Sequence, residues 1–145
     1  MIFDDEGNLY GSTEGGGNSA CNGGCDTVFR LTPTADGWKE TVLHRFAPGK
    51  NGAFAGTRLA MDKVGNLYGT AGGGGIGRCS GGCGVVYKLT PGSAGKWTYS
   101  VIHRFTGPDG AAPAAGVILD QKGNLYGTTA LGGKGGYGVV FEITP

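Results

Sequence analysis

The sequence predicts an all-β chain, a β-propeller built from four-stranded antiparallel blades, and three observations carry that prediction. The pentapeptide GNLYG begins at Gly7, Gly65 and Gly123, so it recurs at an interval of 58 residues. Short segments rich in Val, Ile, Tyr, Phe and Thr alternate with glycine-rich stretches, which is typical of strands joined by turns. Each interval holds four such segments, and four antiparallel strands at a fixed period indicate a propeller blade. Another β repeat, or a sandwich or barrel, is the alternative.

The first two segments of each repeat form a predicted hairpin. The first is apolar and ends in aspartate, as in RLAMD at 58–62, and the second contains NLYG, as in NLYGTA at 66–71. Between them lies DKVGN, DDEGN or DQKGN. Asp caps such a turn, while Gly and Asn tolerate a positive φ, so the turn is tight.

The third and fourth segments complete the predicted blade. The third is GVVYKLTP at 84–91, with counterparts DTVFRLTP at 26–33 and GVVFEITP at 138–145. The fourth is WTYSVIHRF at 97–105, matching WKETVLHRF at 38–46. Its period of two predicts that Trp97, Tyr99, Val101, His103 and Phe105 share one face.

Residues 1–145 form one predicted repeat domain. It contains predicted blades at about 1–46 and 57–105 and a partial blade at about 115–145. The partial blade lacks its outer strand. Two or three blades cannot close a ring. The ring would stay open, and an open ring leaves blade faces exposed. We expect a second copy to complete a six-bladed ring as a homodimer, or the chain to be part of a longer one.

Composition excludes several classes of function. The net charge is +1 and the 12 Lys and Arg residues are scattered, so no basic stripe is available for nucleic acid. No apolar run approaches the roughly 20 residues that span a bilayer, and neither a leader nor an anchor is recognisable.

The aligned copies carry a wider signature. D-x-x-G-N-L-Y-G-T is followed by a glycine run, G-V-V-F/Y-K-L-T-P, H-R-F and G-x-D-G-A-x-P. This pattern resembles the GloVer tandem repeat of exported or surface bacterial proteins with varied C-terminal anchors. The resemblance covers essentially the whole chain and implies a secreted or cell-surface protein of β repeats; it implies no reaction. Members of that family usually carry more repeats and an anchor.

The four cysteines occupy the same loop of the first two repeats. They form CNGGC, with Cys21 and Cys25, and CSGGC, with Cys79 and Cys83. A three-residue turn with two glycines can bring the two Cα atoms of each pair within disulfide distance, which favours two local disulfides and an oxidising compartment. Free thiols and a zinc site shared by the four cysteines are the alternatives, although the spacing does not match usual zinc motifs.

Other repeated polar residues are better explained by structure than by catalysis. His44 and His103 lie in the predicted outer strand without a nucleophile motif. The repeated Asp and Asn residues of the D-x-x-G-N turns could bind calcium, but the spacing suits a turn better than an EF-hand loop. Tyr10, Tyr68 and Tyr126 could stack on sugars, although packing is the ordinary role of aromatic residues in strands. The glycine loops lack the Lys-Ser/Thr ending of a phosphate-binding loop.

Blade topology predicts where a ligand would bind. In an up-and-down blade, the connections between the second and third strands emerge on the same side as those between the fourth strand and the next blade. Long loops are common ligand sites in propellers. The polar or aromatic candidates there are Asn18, Asn22, Lys50, Asn51, Arg78, Asp109, Lys134 and Tyr137.

These observations favour a non-catalytic extracellular module that binds a carbohydrate or a protein through this loop face. A self-assembling scaffold without a ligand, and a propeller-type polysaccharide lyase or hydrolase, are the alternatives. An enzyme should bring paired acids or a histidine constellation to the loops, whereas the repeated acids fall in the turns. We therefore expect no catalytic residue, no metal and no cofactor.

Overall fold

The computed structural model describes residues 1–17, 25–47 and 49–145 of the chain. Its strands form three antiparallel sheets, one for each repeat, so the predicted all-β class is confirmed. Within the described ranges, a 3-10 turn at Ser93–Gly95 is the one helical element. The strands are β1 (Ile2–Phe3), β2 (Leu9–Thr13), β3 (Thr27–Thr34), β4 (Gly37–Arg45), β5 (Ala60–Met61), β6 (Leu67–Ala71), β7 (Val85–Pro91), β8 (Trp97–Arg104), β9 (Ile118–Leu119), β10 (Leu125–Thr128) and β11 (Val140–Ile143).

The strands of each sheet follow one another in chain order. The first two sheets have four strands each, β1 to β4 and β5 to β8, and the third has β9 to β11. The first strand of each sheet is only two residues long, shorter than predicted. The reason is that the next aspartate, such as Asp62, already belongs to the turn, where its backbone and carboxylate are bonded to Asn66.

A β-bulge in the outer strand changes which side chains face which sheet. The register of β8 shifts so that Ile102 is the extra residue, and alternation reverses beyond a bulge. Trp97 and Val101 therefore pack toward the first sheet, whereas Phe105 packs toward the third. The prediction of a single face from Trp97 to Phe105 is wrong past Val101.

The hydrophobic core lies between the sheets. One cluster joins Val28 of the first sheet to Tyr87 of the second, and another joins Val86 of the second sheet to Leu125 of the third. Because neighbouring residues of a strand point to opposite faces, Val85 and Val86 are both completely buried only if the second sheet is covered on both sides. A fully buried side chain of this size contributes about 1.5–3 kcal/mol, so packing between sheets dominates the stability of the stack.

One hydrogen bond recurs at both junctions between sheets. Ser12 Oγ donates to the carbonyl of Thr57, and Thr70 Oγ1 donates to the carbonyl of Ala115, both at 2.8 Å. Thr128 has the equivalent position in the third sheet and is exposed. The two junctions are thus built in the same way, and the third sheet presents the same donor to solvent.

The two outer faces of the stack are apolar. Val140 of the third sheet is 80% exposed, whereas Val86, its equivalent in the second sheet, is 0% exposed. Ile118 is 70% exposed on the same face of the third sheet, and Phe3 of the first sheet is 65% exposed. These faces carry the residue types that are buried at the internal junctions.

We expect Tyr87→Phe to stabilise the protein. Tyr87 is completely buried, and its hydroxyl has no hydrogen-bond partner among the described residues. The equivalent positions hold Phe29 and Phe141. Since an unsatisfied buried polar group costs about 1–3 kcal/mol, the free energy of unfolding should rise by about 1 kcal/mol in a urea titration.

Tyr68→Phe is the matched control for that substitution. The Tyr68 hydroxyl donates to Asp62 Oδ2 at 3.0 Å, so its removal should lower the free energy of unfolding. Equal losses for the two variants would contradict the view that the Tyr87 hydroxyl is unsatisfied.

Candidate functional site

Each turn between the first and second strands is organised by one aspartate. Asp62 Oδ1 accepts hydrogen bonds from the backbone N–H groups of Val64 and Asn66 at 3.0 and 2.9 Å. Its Oδ2 accepts from Asn66 Nδ2 at 2.7 Å and from the Tyr68 hydroxyl at 3.0 Å. Gly65 closes the turn with a φ of 85°. Four residues of the repeated signature thus form one hydrogen-bonded unit.

The same unit recurs around Asp4 and Asp120. Burial opposes ionisation of Asp62, but the hydrogen bonds outweigh it and hold the pKa of the carboxyl below its ordinary value of 3.8. The pKa values of Asp4 and Asp120 are lowered in the same way. The turn structure accounts for the recurrence of these residues without calcium, and no cluster of metal-binding side chains occurs within the described ranges.

The two histidines have packing and hydrogen-bonding contacts. The His44 ring stacks on Tyr99 with centroids 4.0 Å apart, and burial lowers the pKa of His44 to about 4. His103 Nε2 lies 3.1 Å from Asp109 Oδ2, while Asp109 Oδ1 accepts from the N–H and the hydroxyl of Thr106. Asp109, a predicted ligand-binding residue, therefore holds its own loop in shape.

The long loops are joined across the repeats by backbone hydrogen bonds. Ala53, in the connection from the first repeat to the second, exchanges two bonds with Gly73 at 3.0 and 2.8 Å. Ala111 and Leu131 form the same pair one repeat later, at 2.8 and 3.0 Å. The predicted proximity of these connections is confirmed. We call the surface they form, residues 49–57, 72–84, 105–116 and 129–138, the loop face.

The loop face contains a cavity of about 420 Å³. Its side-chain lining comes from Phe54, Cys79, Ser80 and Leu131, together with two alanines. Six glycines supply most of the rest, so much of the wall is backbone: Gly72, Gly73, Gly81, Gly82, Gly107 and Gly132. Among the described residues, the lining side chains are apolar apart from the Ser80 hydroxyl, and the main chain supplies the other polar groups.

None of the predicted polar candidates in the described part of the chain lines this cavity. Asn18 and Asn22 lie outside the described residues. The others are exposed residues of the loop face: Lys50, Asn51, Arg78, Asp109, Lys134 and Tyr137, the last 95% exposed. They belong to the loop face but not to the lining.

Phe54 is a lining residue that was not predicted from the sequence. It has a φ of 60°, which is rare for a bulky side chain, and it is 69% exposed. Its carbonyl accepts a hydrogen bond from Gly72 N–H at 3.1 Å, which holds this conformation. Ala112, one repeat later, has a φ of 52°. Phe54, the second phenylalanine of FAPGKNGAFAG at 46–56, was the available signal, because this aromatic residue lies in a connection and not in a strand.

The disulfide prediction is confirmed in the second repeat. Cys79 and Cys83 are bonded, with their Cα atoms 5.0 Å apart. Cys83 is completely buried and Cys79 lines the cavity, so the bond fixes one wall. Cys25 is not a free thiol, and Cys21, its predicted partner, lies outside the described residues. The zinc alternative required all four cysteines as ligands, whereas Cys79 and Cys83 are bonded to each other.

Comparisons with known proteins agree with the repeat structure. In the part of the chain that is described, no helix is long and apolar enough to cross a membrane. No curated protein and no solved structure matches the chain. The family described as the Gloeobacter/Verrucomicrobia repeat matches residues 1–145, so the resemblance to GloVer repeats is confirmed. The chain belongs to the Gloeobacter/Verrucomicrobia repeat family.

Proposed function

We propose that this protein is a non-catalytic extracellular binding module that holds a ligand in the cavity of its loop face. The observation that carries the proposal is the exposed Phe54, held at a positive φ beside that cavity. Strained backbone in a folded protein is often associated with a binding or catalytic role. The cross-repeat hydrogen bonds keep the walls in place before a ligand arrives, which reduces the entropy lost on binding.

The lining favours a protein ligand over a carbohydrate. Phe54 and Leu131 are apolar, and Leu131 is 57% exposed. A cavity with apolar side chains in its walls suits an aliphatic or aromatic side chain of an extended peptide. The exposed polar residues elsewhere on the loop face suit the flanking residues of such a partner.

The disulfide and the family support an extracellular location. Disulfides persist in oxidising compartments and are rare in the cytosol of mesophiles. The Cys79–Cys83 bond forms part of the cavity wall. We therefore place the module outside the cytoplasm, as a secreted or surface protein.

A displayed library of random peptides tests this function. Peptides are selected on the wild-type chain and counter-selected on Leu131→Lys, which fills the cavity with a charged chain. Leu131 bonds Ala111 through its backbone, so this variant keeps the loop pairing. We expect selected peptides to share an apolar anchor and to bind Leu131→Lys at least tenfold more weakly.

Lys134→Ala is the matched control, because Lys134 lies in the same loop but does not line the cavity. Equal binding to all three proteins would refute the loop-face site. A glycan array run with the same proteins tests the carbohydrate alternative. Glycan binding that is lost only in Leu131→Lys would show that the ligand of the loop face is a carbohydrate and not a peptide. Turnover of any polysaccharide would exclude a non-catalytic module.

The apolar outer faces favour a second candidate function, a self-assembling scaffold. Val140 and Ile118 occupy positions whose equivalents, Val86 and Ala60, pack on the next sheet. Another repeat would therefore fit on this face. We propose that it comes from a second copy, in a six-bladed propeller of two chains, or from the next repeat of a longer polypeptide.

Val140→Lys is expected to prevent this assembly. Sedimentation equilibrium should give about twice the 14.6 kDa chain mass for the wild type, and the mass of one chain for the variant. Val64→Lys is the control, since Val64 is 75% exposed in a turn outside that face. A wild-type chain that stays monomeric as its concentration rises would contradict assembly between copies.

A further inference from the structure

A second cavity lies at the opposite end of the stack from the loop face. It has a volume of about 550 Å³ and opens between the first two sheets, beside their aspartate turns. We call it the turn cleft and define it by Asp5, Glu6, Arg30, Lys63 and Trp97. Small-ligand sites occupy about 300–1,000 Å³, so the turn cleft has the size of a ligand site.

We propose that the turn cleft binds a neutral saccharide. Trp97 supplies the aromatic group that such a site needs, because sugar rings pack their C–H groups on aromatic faces. Its indole packs edge-on against Tyr10, with ring centroids 6.1 Å apart and an interplanar angle of 62°. That contact fixes the indole, and the side chain remains partly exposed in the cleft.

Polar groups for sugar hydroxyls surround Trp97. The carboxylate of Asp5 makes no hydrogen bond within the described residues, and that of Glu6 has one long contact, 3.5 Å from Asn8 Nδ2. Arg30 and Lys63 line the same cleft and are side chains of the donor type. The turn cleft thus offers carboxylate acceptors that the fold leaves largely unused, beside cationic donors.

The charges of the lining argue for a neutral ligand. Four carboxylates and two cations line the cleft. The carboxylates belong to Asp4, Asp5, Glu6 and Asp62, and the cations to Arg30 and Lys63. With four carboxylates against two cations, an anionic sugar or a phosphate would be repelled. Uncharged hydroxyl groups can donate to the carboxylates and accept from the cationic side chains.

The next junction provides an internal comparison. A cleft of about 360 Å³ opens between the second and third sheets, beside Val64, Gln121 and Lys122. Its lining contains no aromatic side chain. The two clefts have equivalent positions in the repeat, so the aromatic group and the unused carboxylates distinguish the first.

Tryptophan fluorescence can follow binding in the turn cleft. The chain has two tryptophans, Trp38 and Trp97, and Trp38 is 54% exposed outside the cleft. The Trp38→Phe variant therefore reports on Trp97 alone. It is titrated with neutral oligosaccharides of glucose, mannose, galactose and xylose. We expect a saturable change with at least one of them.

Substitutions locate the site. Asp5→Ala combined with Glu6→Ala, in the Trp38→Phe background, should weaken that binding at least tenfold, and both residues are exposed, so the fold is retained. Gln121→Ala, in the other cleft, and Leu131→Lys, on the loop face, should leave it unchanged. Isothermal calorimetry with Trp97→Phe should show weakened binding without relying on fluorescence.

The outcomes separate this site from the loop face. No fluorescence change with any oligosaccharide, or a change that survives the loss of both carboxylates, would overturn the turn-cleft proposal. Sugar binding that is lost in Leu131→Lys alone would indicate that the sugar binds to the loop face. This result would also overturn the turn-cleft proposal. A failed peptide selection leaves this result unaffected, because the two experiments use different ligands and different variants.

Discussion

Gly69→Ala is expected to lower the free energy of unfolding by about 3 kcal/mol, at the upper end of what overpacking a core costs. A Cβ atom at Gly69 would lie 2.4 Å from the Tyr87 hydroxyl oxygen and 2.5 Å from Tyr87 Cζ. Tyr87 is completely buried and packs against Phe46 and Tyr99, so its ring has no space into which it can move. Urea titration of the wild type and the variant measures the loss.

Gly11→Ala is the control, because Gly11 has the equivalent place in the first sheet. Its Cβ would lie 2.6 Å from Phe29 Cζ, a comparable overlap. Phe29 is only half-buried and lies on the outer face of the stack, so its ring can turn toward solvent. We expect a loss of about 1 kcal/mol or less. Equal losses at both positions would contradict the stacked arrangement of the sheets.

Asp62→Ala is expected to lower the free energy of unfolding by about 3 kcal/mol. The substitution removes the acceptor of four hydrogen bonds. Two of the donor residues, Asn66 and Tyr68, are 7% and 3% exposed, so water cannot fully replace the carboxylate. Each buried group left unsatisfied costs about 1–3 kcal/mol. Thermal and urea unfolding at pH 7 measure the loss.

The effect of Asp62→Ala should depend on pH in a defined direction. The folded pKa of Asp62 is below the value of 3.8 expected for the unfolded chain, because the hydrogen bonds outweigh burial. A carboxyl whose pKa is lowered on folding stabilises the fold at pH values above its unfolded pKa. This stabilisation is lost as the pH falls through the folded pKa. The difference between wild type and variant should stay constant from pH 7 to about pH 5 and shrink below pH 4.

Asp120→Ala is the matched control for the turn. Asp120 makes the same kind of bonds, but no further sheet packs over its repeat among the described residues, and Tyr126 is only half-buried. Its loss should destabilise the protein less than the loss of Asp62. A larger effect at Asp120 would refute the view that the buried donors make the Asp62 turn costly to disrupt.

The repeated signature was sufficient to predict the strands but not their packing. GNLYG identified the turn and the second strand because Gly65, Asn66 and Tyr68 act within a few residues of one another. The pairing of Gly69 with the ring of Tyr87 depends on the cross-strand register. The β-bulge at Ile102 depends on which sheet each side chain must reach, so strict alternation could not predict it.

The site was only partly predictable for the same reason. Loop topology predicted that these connections lie together, because the side on which each connection emerges follows from the order of the strands. The cavity depends instead on backbone hydrogen bonds between repeats, such as those of Ala53 with Gly73. Selecting polar side chains therefore gave exposed residues outside the lining and missed Phe54 and Leu131, which belong to its apolar part.

The central claim, that the loop-face cavity holds the ligand, can be tested directly by nuclear magnetic resonance. Six glycines line the cavity, and glycine amides resonate in a distinct part of the nitrogen–proton spectrum: Gly72, Gly73, Gly81, Gly82, Gly107 and Gly132. Titration of the labelled protein with a selected peptide is predicted to shift these amides in the wild type and not in Leu131→Lys. Shifts confined to the aspartate turns or the outer faces of the stack would contradict the claim.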